Sequence, residues 1–204
     1  MKKDLPFNAF LNYCKLWDAC LKPDGTRPPL EYVYFENGYA YATNAHILVR
    51  VPMCYVATFN DDAIHHLEGH GIHGSLLKRL VSLWPLRVET EEIIDKDGKE
   101  VEMVYIYAYD GENEIRVTLT NPEQVQPPKM DEMFVISGER EPVHKVGLSQ
   151  KMLNRLTSAL GTPKIKMEFV SERTRIIVSP LEPEFAGAEG IIMPMMVTGT
   201  FEGF

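Results

Sequence analysis

The chain of 204 residues, 45% hydrophobic, 25% charged and 10% aromatic, is long enough for one large domain or two small ones, and its apolar residues are too evenly spread for disorder. An excess of acids, 29 against 21 bases, gives a net charge of -8; it excludes a surface that is basic all over and permits a local basic patch. No apolar run reaches the roughly 18 residues of a membrane span, so no membrane partner is expected. The first periodic segment is 7–21. There Phe7, Phe10, Leu11, Cys14, Trp17 and Leu21 recur at three- and four-residue steps and predict an amphipathic helix. Lys22-Pro23-Asp24-Gly25 and Pro28-Pro29 break it. Tyr32-Val33-Tyr34-Phe35 and Tyr39-Ala40-Tyr41-Ala42 then read as strands about Asn37-Gly38, the strongest hairpin signal in the chain, and 46–51 as a third. The histidine-rich segment 65–73 reads as a surface loop. A second helix is predicted over 75–84, capped by Ser75, striped by Leu76, Leu77, Leu80, Val81 and Trp84, and stopped by Pro85. Asp97-Gly98 marks a turn, and 101–109 with 114–119 a hairpin about Asp110-Gly111. The polar, proline-rich stretch 122–128 is the linker. A third helix over 149–160 has Ser149 as its cap, Leu148 placed to staple against Leu153, and Gly161 at its end. Strands follow at 164–170, 174–178 and 191–193.

A helix followed by an antiparallel hairpin thus occurs three times. The pattern predicts an α+β fold of repeated units with helices on one face of the sheets. The units divide into a first domain over 1–121 (units 1–60 and 73–121), the linker 122–128 and a C-terminal unit over 129–204. Away from their apolar stripes the predicted helices carry Asn8, Asn12, Lys15 and Lys22, then Lys78, Arg79 and Ser82, then Gln150, Lys151, Asn154, Arg155 and Ser158. Acids are few there, Asp18 excepted. They concentrate elsewhere, as in Glu89, Glu91, Glu92, Glu182, Glu184 and Glu189. Such faces can meet phosphates without reading bases; the alternative is that they are ordinary solvated helix surfaces.

Enzymatic chemistry finds little support. No nucleophile elbow, phosphate loop or dinucleotide fingerprint is present. Four of the six histidines fall in His65-His66-Leu67-Glu68-Gly69-His70-Gly71-Ile72-His73; a metal-dependent enzyme built on them is an alternative, although the segment lacks a helical His-Glu-x-x-His arrangement. Cys14, Cys20 and Cys54 are an odd number at no metal-like spacing. With the charged start Met1-Lys2-Lys3-Asp4, they lead us to expect no disulfides, no secretory signal and a reducing cytoplasm.

Three segments carry a resemblance. Residues 27–48, ending in Ala42-Thr43-Asn44-Ala45-His46-Ile47-Leu48, resemble a segment of the bacterial sliding clamp family, the beta subunit of DNA polymerase III, whose signature is close to Ala-Thr-Asp-Gly-His-Arg-Leu. Ile176-Ile177-Val178-Ser179-Pro180 with Ile191-Ile192-Met193-Pro194-Met195-Met196-Val197 resembles the closing strands of that family, which end in a Met-Pro-Met-Arg-Leu-like motif. Residues 146–156 are similar to a clamp helix that follows a short strand. The likeness covers mainly 27–52 and 143–197. Asn44-Ala45 replaces Asp-Gly, and Ile47 and Met196 replace arginines. Clamps of that family carry three domains, whereas this chain has room for two reduced domains or three half-domain units.

The resemblance implies a DNA-clamp-like fold with outer sheets and helices toward duplex DNA. It implies a non-enzymatic processivity factor, without cofactor, acting as a homo-oligomeric ring that holds DNA regardless of sequence. Lys15, Lys78, Arg79, Lys151 and Arg155 then face the DNA. A hydrophobic pocket for peptides of polymerases and other partners would have Thr43, Ala45, His46, Ile47 and Leu48 as one wall, and Met193, Pro194, Met195 and Met196 as the other. Methionines make such a surface adaptable. Two alternatives stay open: Met193, Met195 and Val197 form one side of a core strand, or the chain is a clamp-fold interaction module that forms no ring.

Overall fold

The structure, a computed structural model, describes residues 8–23, 26–94, 96–121, 125, 128–135, 143, 145–171 and 174–195. Asn37 and Gly38, both at positive φ (53° and 75°), reverse the chain between β1 (Tyr32–Glu36) and β2 (Tyr39–Thr43). This is the two-residue turn that Asn-Gly favours, because its twist matches that of the strands it joins. β3 (Ile47–Pro52) and β4 (Gly71–His73) complete the N-terminal strands, and β5 (Arg87–Ile94), β6 (Glu100–Asp110) and β7 (Asn113–Thr118) form a separate three-stranded sheet. From the C-terminal part come β8 (Ile165–Glu168), β9 (Ile176–Pro180) and β10 (Glu189–Ile192). These join the first four in one seven-stranded antiparallel sheet of order β4-β1-β2-β3-β10-β9-β8. The β3–β10 pairing, Ile47 opposite Ile192 through Arg50 opposite Glu189, unites the two parts of the chain. The small sheet meets the large one where Gly71 and Thr120 exchange backbone hydrogen bonds of 3.1 and 2.7 Å.

Strand alternation gives the large sheet two apolar faces. Val33, Phe35, Ala40, Ala42, Val49, Val51, Ile176, Val178 and Ile192 point to the main core, beneath the helices. Tyr34, Tyr41, Leu48 and Ile191 point the other way, where Met130 and Phe134 cover them. Helix α2 (Gly74–Leu80) packs on β4 and β1, and α3 (Gln150–Leu160) on β3 and β10. Gly190 lets α3 approach, since a Cβ there would stand 3.0 Å from Leu156 Cδ1. The helix-capping expectation for α3 holds in detail: Ser149 Oγ accepts from Met152 N–H at 3.4 Å, and Gly161 takes the left-handed conformation at φ 80°.

Three local expectations are corrected. The stripe at 7–21 is not an α-helix in its described part. Its backbone groups bond to distant segments: Leu11 N–H to Val56 O at 2.7 Å, Lys15 N–H to Ser158 O at 3.1 Å, and Leu86 N–H to Asn8 O at 2.8 Å. Phe10, Cys14, Leu16, Ala19 and Cys20 still enter the core, with only a 3-10 turn at Leu16–Asp18; Phe7 lies outside the described residues. The expected loop at 65–73 instead begins in a helix, α1 (Asp61–Leu67), where Asn60 Oδ1 caps Ala63 N–H at 3.0 Å, and it ends in β4. The helix expected over 75–84 is capped by His73 rather than Ser75 and ends at Leu80, leaving Trp84 62% exposed. Among the described residues no helix is long and apolar enough to cross a membrane.

Candidate functional site

The helix-bearing face holds a groove of about 750 Å³ between α2, α3 and the segment 17–23. Exposed Lys22, Lys78 and Lys151 line it, together with half-buried Arg155. At one wall His73 caps α2. Its Nδ1 accepts from Ser75 N–H at 3.3 Å, which places the ring proton on Nε2, 3.3 Å from Glu31 Oε2. Arg155 also has a structural role: its Nε–H donates to Asp18 O at 2.5 Å and its Nη2 to Cys20 O, so it clasps the 3-10 turn against α3. Asp18, the one acid expected on these faces, accepts from Ser158 Oγ at 2.7 Å.

Of the cations expected to face DNA, the structure therefore gathers Lys78, Lys151 and Arg155 in one groove. Lys15 lines a neighbouring depression with Ser158 and Thr157, and Asn154 lies between the two hollows. Arg79 lies outside the groove and pairs with Asp110 at 3.2 Å, both groups being exposed. Lys22, read in the sequence only as a polar helix-face residue, His73, read as part of the histidine segment, and Glu31, which no sequence pattern singled out, join the groove. Glu31 and His73 are 42 residues apart and meet only through the β1–β4 pairing.

The opposite side of the sheet carries a pocket of about 250 Å³. Thr43, Ala45, His46, Ile47 and Leu48 line one side of it, and Met193 with Ile191 the other. The turn at 43–47 is built by side chains that stand in for backbone. Asn44 Oδ1 accepts from His46 N–H at 3.0 Å and Ile47 N–H at 3.1 Å, and Thr43 Oγ1 donates to Ile47 O at 2.7 Å. Ala45 takes φ 72° between them. Met193 N–H donates to His46 O at 3.0 Å and fastens the two walls together.

Pro194 and Met195 leave the lining. Met195 N–H bonds to Gly147 O at 2.8 Å, and Met196 lies outside the described residues. The reading of Met193 and Met195 as core is overturned by their exposure, 43% and 57%; Val197 lies outside the described residues.

A third wall has no forerunner in the sequence patterns. Pro128, Met130 and Met133 belong to a strap that crosses the outer face of the sheet. Asp131 fixes it, accepting from Tyr41 Oη and from Asn37 Nδ2 (3.1 Å) and facing Arg50 at 3.6 Å. Arg50 stacks on Phe134 at 4.4 Å and pairs with Glu189 at 2.5 Å.

The histidine segment is dispersed. His65 and His66 sit on α1, His70 Nδ1 is 3.0 Å from Glu68 O, and His73 is engaged with Glu31. Among the described residues no three His, Cys, Asp or Glu side chains are grouped to hold a metal.

Among solved structures, the crystal structure of DNA polymerase III, beta chain, from Streptococcus pneumoniae TIGR4 is similar to this chain, with a TM-score of 0.52 and 10% sequence identity. The match covers 96% of this chain and 66% of that one, so the chain spans just under two thirds of its neighbour. The likeness is one of fold: an α+β, clamp-like arrangement of helices and antiparallel sheets. No family model and no curated protein sequence matches.

Proposed function

We propose that this protein is a clamp-like processivity factor: several copies encircle duplex DNA without reading its sequence, and the outer pocket tethers partner peptides. The observation that carries the reading is the clamp-like fold with Lys78 of α2 and Lys151 of α3 on one groove of its helix-bearing face. Ammonium groups on a helix layer attract phosphates through exchangeable contacts, which hold a duplex yet let it slide. Of the acids in the groove, Asp18 is held by Ser158 and Glu31 faces His73, while Glu89, Glu91 and Glu92 are exposed along the edge strand β5, where they repel DNA from the outer wall. Among the described residues β8 and β5 stand at sheet edges, where contacts between copies would form. No reaction is assigned to the chain.

The test is native mass with and without DNA, combined with retention on circular and linear duplexes. We expect oligomers, formed alone or on DNA, that stay on circles and run off linear ends. A chain that remains monomeric at high concentration and escapes from circles overturns the ring. Reversing Lys78 and Lys151 to Glu should weaken duplex binding and lower its salt slope by about two, roughly one for each phosphate deprived of its ammonium partner.

A second reading, a clamp-fold interaction module without a ring, is favoured by the pocket alone, whose rim methionines Met133 and Met193 are 39% and 43% exposed. It expects peptides with two consecutive large apolar residues to shift the Met193 methyl resonance in a chain that stays monomeric.

A further inference from the structure

Three depressions adjoin one another in series. Asn154 lines both the cationic groove and a hollow of about 320 Å³ that holds Lys15, Thr157 and Ser158. Tyr13 lines that hollow and a third of about 410 Å³, whose walls include Leu11, Val81 and Trp84. Aromatic and cationic side chains are therefore interleaved along the series: Trp17 beside Lys22, Lys78 and Lys151 in the groove, Lys15 with Tyr13 in the middle hollow, and Trp84 at the far end. Tyr13 and Trp84 are 48% and 62% exposed, large rings left facing water next to one another's hollow, which is the mark of a contact surface. Among the described residues no acid lines the second or third hollow. An apolar peptide would use the rings and leave the lysines unmatched. A duplex would use the lysines, but its base faces are hidden in its own stack. A single strand uses both, because its phosphates suit ammonium groups and every unpaired base has a flat face for an aromatic ring.

We propose that this series of hollows is a track for single-stranded nucleic acid. The phosphates lie against Lys78, Lys151 and Lys15, unpaired bases stack on Tyr13 and Trp84, and base identity is not read. The track goes beyond duplex retention, since its aromatic end has no use for paired bases, and it does not depend on ring formation.

Fluorescence anisotropy of the intact chain at low ionic strength tests it, with a short labelled oligothymidylate, an abasic strand of the same length and charge, and a duplex. The oligothymidylate should bind at least about tenfold more tightly than the abasic strand, the usual worth of one stacked base. Trp84→Ala should remove about tenfold of the strand affinity and leave retention on circular duplex unchanged; Trp84→Phe should restore most of the loss, and Tyr13→Ala should act as Trp84→Ala does. Lys15→Gln should weaken the natural and abasic strands alike and lower the salt slope by about 0.7, the share of one phosphate in a single strand. If Trp84→Ala melts early by circular dichroism, Tyr13→Ala and the abasic comparison in the unaltered chain still decide the matter. Equal affinity for the natural and abasic strands, or strand binding indifferent to both ring deletions, overturns the track. So does a native dimer that Trp84→Ala dissociates while no strand binds, since the surface then belongs to a second copy. Loss of the track with retention on circles intact leaves the ring standing, and strand binding without such retention sustains the track and removes the ring.

Discussion

Burial separates the three cysteines chemically. Cys14 and Cys20 are buried, and desolvation pushes both thiols up to about 12, the nearby Arg155 guanidinium offsetting only part of the effect at Cys20. Cys54 is exposed. A disulfide reagent at pH 8 should therefore modify one thiol in the native chain and all three only after unfolding; rapid reaction of a second thiol would contradict the packing around α3.

Glu36 makes the complementary case, because burial and then its neighbours Asp131 and Glu68 raise its pKa. The folded protein holds that proton more tightly than the unfolded chain does. Stability is thus lowered above the raised pKa, and the penalty fades as pH falls toward the ordinary carboxylate value. Glu36→Gln should raise the thermal midpoint at pH 7 and leave it unchanged below the carboxylate range, as paired melts at the two pH values would reveal.

At this scale the turn at 43–48 was legible and the Glu31–His73 pair was not. Thr43 to Leu48 are neighbours in sequence, and their turn is written in Asn44 and Thr43. Glu31 and His73 are brought together only by packing, and no local pattern announces a carboxylate whose partner lies 42 residues away.

Elements were legible where a local signal and the global fold agreed. Helix α3 has its serine cap, its stripe and its left-handed glycine, and all three appear where the sequence puts them. Ser149→Ala should cost about 1 kcal/mol by urea denaturation, the usual worth of such a cap. The segment 7–21 has an equally good stripe but no cap, and its carbonyls and amides found partners at 56–58, 86 and 158 instead. Periodicity there reported burial correctly and conformation wrongly. Helix α1 was hidden for the opposite reason. Its cap Asn60 and its acidic first turn are plain, yet the helix is only seven residues long and its histidines drew attention to metal chemistry. The strap at 128–135 had no periodicity to read, since it is held by Asp131 and Arg50 rather than by a regular ladder.

For the whole molecule, the predicted layering of helices on one face of antiparallel strands agrees with the clamp-like neighbour, and the same layering sets the two candidate surfaces on opposite sides of one sheet. What sequence patterning could not reveal is the register that fuses the N-terminal and C-terminal strands, because pairing partners 139 residues apart, such as Arg50 and Glu189, leave no local trace.

That fusion has a consequence for how the protein is made. β10 lies in the interior of the sheet, between β3 and β9, rather than at a margin. Until residue 192 emerges, β3 waits with an unsatisfied ladder, a sticky template for other nascent chains. The seven-stranded sheet therefore cannot knit before β10 is made, and a product truncated ahead of β10 is the form most prone to clump.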